Sequence, residues 1–273
     1  EIPLVVLVDN MSASASEIVS GALQDLDRAV IVGSTTYGKG LVQNTVDLSY
    51  NSKLKMTIAK YYIPSGRCIQ KIDYSARDDY GVAQEVPDSV LKKFTTKGGR
   101  TVYDGRGISP DVEIEDEEAG RIIGGIFSKA LFFKFANDYV IRHPELESPE
   151  TFKLSAEEFA KFKESVIKAG IDYSTQSSAV LDKLKEVAKR ELYYQDAVAD
   201  FSAMEEKLAP NVDRDLEKFS GQIKTILENE IVSRYYWSEG RLRHSLADDP
   251  VLAKGMSYLT AQKQKEILTA NVK

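Results

Sequence analysis

Cysteine and histidine are nearly missing from this 273-residue chain: there is one cysteine, Cys68, and two histidines, His143 and His244. A single thiol excludes an intrachain disulfide and a cysteine metal cluster. Two histidines a hundred residues apart do not support a zinc site. No apolar run approaches the roughly 18 residues of a membrane span, and no basic segment followed by an apolar one opens the chain as a secretion signal would. A block of one-signed charge is missing too. The net charge of -6 comes from 36 basic and 42 acidic residues mixed along the chain, which argues against a nucleic-acid partner. The first strand-like run starts at Pro3 with no capping element before it, so the expectation is a fragment or a processed product.

What is present divides into two halves, read as domains at 1–117 and 118–273, the prior for a chain of this length. Pro3–Val8 is an apolar, β-branched run of buried-strand length. Ile18, Val19, Ala22, Leu23 and Leu26 then recur at helical steps, and Ala29–Val32 has strand length again. Strand, helix, strand is the α/β unit. Leu41–Leu48 mixes β-branched and polar residues, Lys53–Tyr62 alternates with period two, and Asn51-Ser52 supplies a turn between them, which predicts an antiparallel pair. Residues 71–99, including Asp78 and Asp79, read as a surface excursion with at most a short helix near 89–94. Thr101–Tyr103 and Val112–Ile114 are short strand candidates. Beyond residue 118 the pattern is all-helical: a buried helix over 121–141, a capped helix from Ser155 to Ala169 with Gly170 at its end, helices on either side of Pro210, and a last one over Ala261–Ala270.

The chemistry, if any, must run without histidine in the first half. A serine hydroxyl needs a base, and the bases left are carboxylates and lysines; a lysine qualifies only when burial or a nearby positive field leaves it neutral. Lys39, between Gly38 and Gly40 after an apolar strand, has the position for a side chain directed into the protein. Ser12, Ser14 and Ser16 all lie at a helix start, where free N–H groups stabilise an oxyanion. The bland alternative is that Ser14-Ala15-Ser16-Glu17 is a capping box and nothing more. Gly38-Lys39-Gly40 lacks the spacing of a phosphate loop.

The blocks SASASEI, GALQD, VGSTTYGKGLVQ, YYIPSGR and GRGISPDV, in that order over residues 1 to 115, resemble the carboxyl-terminal processing peptidases, the tail-specific serine proteases of the S41 type. The resemblance implies Ser14 as nucleophile and Lys39 as general base. It implies Gln43, four residues past the lysine, as the residue that orients it, Asp25 as a supporting residue, and the Ala15 N–H as an oxyanion donor. It implies a crotonase-like or ClpP-like α/β core with a mixed sheet, no metal and no organic cofactor, polypeptide tails as substrates, and a bacterial envelope or periplasmic location. Asp9-Asn10-Met11 stands where members often have a glycine. An N-terminal helical segment, a PDZ domain and the strands supplying the second oxyanion donor would lie upstream, so this segment alone is expected to be poorly active. The competing reading is a non-catalytic scaffold of the same fold. Unpaired strand edges would suit a homo-oligomer, and Tyr235-Tyr236-Trp237 is either an interface anchor or, by the usual burial of aromatics, core.

Overall fold

The computed structural model describes residues 2–78, 81–115, 117–146 and 148–269. Two compact units emerge: Glu1–Glu117 with Asp249–Lys273, and Glu118–Asp248. Residues 249–273, read from sequence as part of the helical half, thus cluster with the first unit.

In the first unit, β1 (Val5–Val8), α1 (Ala15–Asp25) and β2 (Val30–Gly33) form a parallel β-α-β unit with Val5 opposite Val30. Next come β3 (Leu41–Asp47), β4 (Lys53–Lys60), β5 (Ile72–Arg77), β6 (Ala83–Glu85), β7 (Lys93–Thr95), β8 (Thr101–Tyr103) and β9 (Val112–Glu113). β9 joins β2 in parallel, giving a three-stranded sheet in the order β1-β2-β9. This sheet is parallel and the antiparallel pairs β3-β4, β5-β6 and β7-β8 are separate ribbons, so the α/β unit mixes both kinds of pairing in small sheets. The segment 71–99 therefore holds three short strands, and its expected helix is only a turn at Asp88–Val90; of its residues, Asp79 lies outside the described ones.

The core of the unit is Val8, Ala29, Ile31, Ile63, Ile69 and Ile108. Helix α1 meets it with an unexpected face. Glu17, Ser20, Gly21, Gln24 and Asp25 are buried, whereas Val19 is 57% exposed and Ile18 and Leu26 are exposed as well. The cause is close approach plus specific pairing. A Cβ on Gly21 would lie 2.7 Å from Ile108 Cδ1 and 2.8 Å from Ile63 Cδ1, so a larger residue would push these side-chain ends aside, and each buried polar neighbour on that face finds a partner, as buried polar groups must. Gln24 Nε2 donates to Ser109 O at 2.8 Å and to Asp111 Oδ1 at 2.9 Å.

The second unit begins with α2 (Arg121–Ser128) and α3 (Leu131–Arg142), where the sequence reads as one helix. Ala130 in the left-handed region (φ 54°) breaks it without a glycine or proline. α4 (Ala156–Ala169) starts at Ser155, whose side chain accepts from the Glu158 N–H at 3.2 Å, and stops at left-handed Gly170. α5 (Gln176–Arg190), α6 (Val198–Leu208), α7 (Val212–Lys218) and α8 (Ser220–Ala247) follow. Ile122, Ile126, Phe132, Phe162, Leu216, Ile223, Leu227 and Ile231 build one buried cluster. Tyr235 and Tyr236 pack partly buried against it, their hydroxyls donating to His143 O and Leu146 O. Trp237, at a kink in α8 with φ 55°, is 76% exposed, so the aromatic triplet divides between core and surface.

Helices α9 (Pro250–Met256) and α10 (Ala261–Leu268) complete the first unit; Ala270, the expected end of the last helix, lies outside the described residues. Gln264 of α10 is buried and pairs with Leu4 beside β1 through both amide groups, accepting from the N–H at 3.3 Å and donating to the carbonyl at 2.8 Å. Leu4 O also accepts from the Val30 N–H at 3.1 Å, so the Gln264 amide extends the hydrogen bonding at the start of β1 on the side that faces β2.

Candidate active site

Each candidate residue of the first unit sits where a strand ends and the chain turns. After β1, Asp9 closes a tight turn: its Oδ1 accepts from the Met11 and Ser12 N–H groups, at 3.1 and 2.8 Å, and from Ser12 Oγ at 2.7 Å. Ser12 is therefore spent on the turn. Ser16 lies within the exposed first turn of α1. Between them Ser14, the N-cap, has φ 58° and ψ -114°, a region that non-glycine residues adopt only under constraint, at about 1–3 kcal/mol. A strained serine between strand and helix has the character of a nucleophile elbow.

The carboxylate half of the expected capping box is made, Glu17 accepting from the Ser14 N–H, while the Glu17 N–H donates to the Ser14 carbonyl and not to its side chain; the carboxylate also does far more than cap. Glu17 is fully buried. Its Oε2 accepts from the N–H groups of Ser14 and Lys39, both at 2.9 Å. Its Oε1 accepts from Thr36 Oγ1 and the Gly38 N–H, both at 2.6 Å. Four donors fill the acceptor capacity of one carboxylate. Thr36 in turn accepts from the Ile108 N–H at 2.7 Å, and the Tyr37 N–H donates to Ser12 O at 3.0 Å. The serine turn and the lysine turn are one hydrogen-bonded object.

Lys39 itself is exposed, against the expectation of an inward side chain. The flanking glycines explain why. Gly38 (φ 83°) packs so tightly that a Cβ would lie 2.4 Å from Lys71 Cβ, and one on Gly40 would lie 3.0 Å from the Gln70 N. The glycines take the inner side of the turn and leave the outer one to the lysine. The Gly38 carbonyl accepts from the Lys71 N–H at 2.9 Å, and Gln70 Oε1 accepts from the Gly40 N–H at 2.8 Å. Gln43 lies in β3 opposite Thr57, just past a β-bulge between Val42 and Gln43; such a bulge re-aims the strand locally, and Gln43 is exposed.

Asp25, at the far end of α1, belongs to a different cluster. It is buried, pairs with Arg67 at 3.0 Å, and accepts from the Ser65 N–H at 3.0 Å. Arg100 joins Asp27 at 2.6 Å and also bonds Asp111 nearby. The structure brings Ser14, Ala15 and Lys39 to one place and keeps Asp25 in this ion-pair network.

Tyr61, in the YYIPSGR block, is a site residue that the sequence reading assigns no role. Its hydroxyl donates to Lys39 O at 2.5 Å and lies 3.4 Å from Ser14 O. Burial, with the Glu17 charge second and Cys68 third, pushes its pKa up, so the phenol stays protonated and a donor. For Glu17 the sequence did carry a signal: a glutamate three residues after a candidate nucleophile. A capping box accounts for that spacing so completely that a second role leaves no further trace. Among the described residues no group of three or more histidine, cysteine or acidic side chains could hold a metal, and no helix is long and apolar enough to cross a membrane.

Two family models match. Residues 1–83 match peptidase family S41, and residues 122–259, half of the chain, match the probable PDZ-protease C-terminal helical domain. The chain belongs to the PDZ-protease family that this helical-domain model describes, with an S41 peptidase segment at its residues 1–83. It is similar to the carboxy-terminal-processing protease of Bartonella bacilliformis, 49% identical over 98 residues, or 36% of this chain and 22% of that protein. To the chloroplastic C-terminal processing peptidase of Tetradesmus obliquus it is 52% identical over 73 residues, 27% of this chain and 16% of the relative. A solved photosystem II D1 C-terminal processing protease is matched at 35% identity over 41% of this chain and 20% of that one, with a TM-score of 0.28. The chain thus spans about a fifth of the length of these relatives, or less.

Proposed function

We propose that this segment carries the nucleophile and base of a serine endopeptidase that cuts polypeptides near their C-termini. The observation that carries the reading is the bonding of the strained Ser14 turn to the Lys39 turn through one buried carboxylate. Ser14 Oγ attacks the scissile carbonyl while Lys39 Nζ takes the proton, a role that requires the exposed lysine turn to be covered, by bound substrate or by the rest of the intact protein; the lysine then protonates the leaving amine and, as base again, activates the water that hydrolyses the acyl-enzyme. The Ser14 N–H is occupied by Glu17, so the oxyanion falls to the next N–H, that of Ala15. As the first residue of α1 it has no intrahelical partner, and it lies at the positive end of the helix dipole.

Gln43 serves to orient Lys39, and Asp25 supports the site indirectly, by holding the end of α1. Residues 1–117, completed by α9 and α10, form the peptidase core, and residues 118–248 form a distinct helical domain. Substrate tails are selected by a PDZ domain of the intact protein, which acts in the bacterial envelope, and the isolated segment is poorly active. Bacterial and chloroplastic relatives alike are named as processing proteases, which supports a polypeptide substrate over the scaffold reading. The test is cleavage of an unfolded polypeptide by the intact protein. Ser14→Ala and Lys39→Ala are each expected to abolish turnover, with folding unchanged. Turnover surviving in either variant refutes the dyad.

A further inference from the structure

Two side chains outside the proposed dyad touch both of its members through the main chain. Glu17 accepts from the N–H of Ser14 and of Lys39; Tyr61 directs its hydroxyl at the carbonyl of Lys39 and, more distantly, that of Ser14. We infer that Glu17 and Tyr61 are a pair of positioning residues, an acceptor and a donor that together clamp the nucleophile and base turns at a fixed separation. The inference rests on the Ser14–Lys39 reading above.

The chemistry of each group suits it to this task and to no other in the site. Glu17 has all four acceptor positions occupied by N–H and O–H donors, so it has no lone pair left to act as a base. Bonds from donors to a buried carboxylate are the strong, charge-assisted kind, and Gly38, with its left-handed φ of 83°, lets two successive N–H groups of the lysine turn, Gly38 and Lys39, converge on it. Tyr61 follows β4 directly, where its own N–H donates to Gly40 O at 3.1 Å, so its main chain and side chain both grip the Gly38–Gly40 turn. The brace holds main chain, leaving both reactive side chains free to move toward substrate. It also sets the strain at Ser14: with its N–H held by Glu17 and its carbonyl accepting from the N–H groups of Glu17 and Ile18, at 3.0 Å each, the residue is fixed from both ends of its peptide links. A misplacement of about 1 Å between reacting groups costs on the order of 100-fold in rate.

The experiment measures kcat and KM of the intact protease on an unfolded polypeptide for Tyr61→Phe, Glu17→Gln and the double variant, with Tyr62→Phe, an exposed neighbour, as control. Glu17→Gln keeps shape but turns an N–H₂ toward N–H donors. Each single variant is expected to lower kcat about 10- to 100-fold, the scale of one lost charge-assisted or positioning hydrogen bond. KM should stay within about threefold and, for Tyr61→Phe, the melting temperature should be unchanged. Because both residues act on one separation, the double variant should be no slower than the worse single one by more than about threefold. Tyr61→Phe with wild-type kcat, or single effects that multiply in the double variant, would overturn the brace while leaving the dyad intact. Should Glu17→Gln not fold, Tyr61→Phe alone decides. Ser14→Ala or Lys39→Ala that still turn over would overturn the dyad, and the brace with it.

Discussion

Replacing Asp25 separates a structural carboxylate from a catalytic one. Its side chain and that of Arg67 are 0% and 2% exposed and pair at 3.0 Å, and the same guanidinium donates to Gln24 Oε1 at 2.7 Å and to Tyr103 O at 3.1 Å. Asp25→Ala leaves a buried guanidinium with neutral acceptors only. Breaking one side of such a pair costs about 3–5 kcal/mol. At roughly 3 °C per kcal/mol for a domain near this size, the melting midpoint should fall by about 10 °C or more. The charge is the cause, so Asp25→Leu combined with Arg67→Met should recover most of the loss, as replacement of whole buried pairs by apolar side chains commonly does. Differential scanning calorimetry on the intact protein gives the midpoints. Turnover measured below the lowered midpoint, per folded molecule, should stay within about threefold of wild type. An unchanged midpoint, or a stable Asp25→Ala protein without turnover, would refute the structural assignment and return Asp25 to the chemistry.

Two further outcomes follow from the geometry. The Arg142 hydrogen bonds hold the Glu158 carboxyl down at about 2, from an ordinary 4.5. A lowered folded-state pKa stabilises above the unfolded value, so the second unit should lose of the order of 2 kcal/mol as pH falls from about 5 to about 2, and Glu158→Gln should flatten that limb in acid-titration melts. Gly38→Ala forces a Cβ to within 2.4 Å of Lys71 Cβ at a left-handed φ; it should displace the lysine turn and remove turnover, whereas alanine at open, exposed Gly124 of α2 should leave turnover unchanged.

How far the sequence spoke depended on what kind of interaction builds each part. The β1-α1-β2 unit was legible because its apolar runs have the length of their elements. The inner face of α1 was not, since periodicity counts apolar residues and this helix buries Glu17, Gln24 and Asp25 through named partners while leaving Ile18 and Val19 in solvent. Strands β5 and β6 were missed because Asp73, Ser75 and Gln84 give them no apolar alternation; β5 is pinned by pairing, Ile72 against Glu85 and Asp73 against Gln84. The helix over 121–141 split because Ala130 turns left-handed, which no residue type there announces. In the site, the resemblance to the processing peptidases pointed to Ser14 and Lys39, but an outward lysine and a carboxylate joining the two turns are facts of three-dimensional packing.

The central claim is that Ser14, alone among the three serines at the start of α1, is the nucleophile. The most direct measurement is reaction of the intact protease with a fluorophosphonate, followed by mass-spectrometric mapping of the adduct. The account predicts one equivalent of label on Ser14 and a rate of labelling that collapses in Lys39→Ala. Label on Ser12 or Ser16, or undiminished labelling in Lys39→Ala, would contradict it.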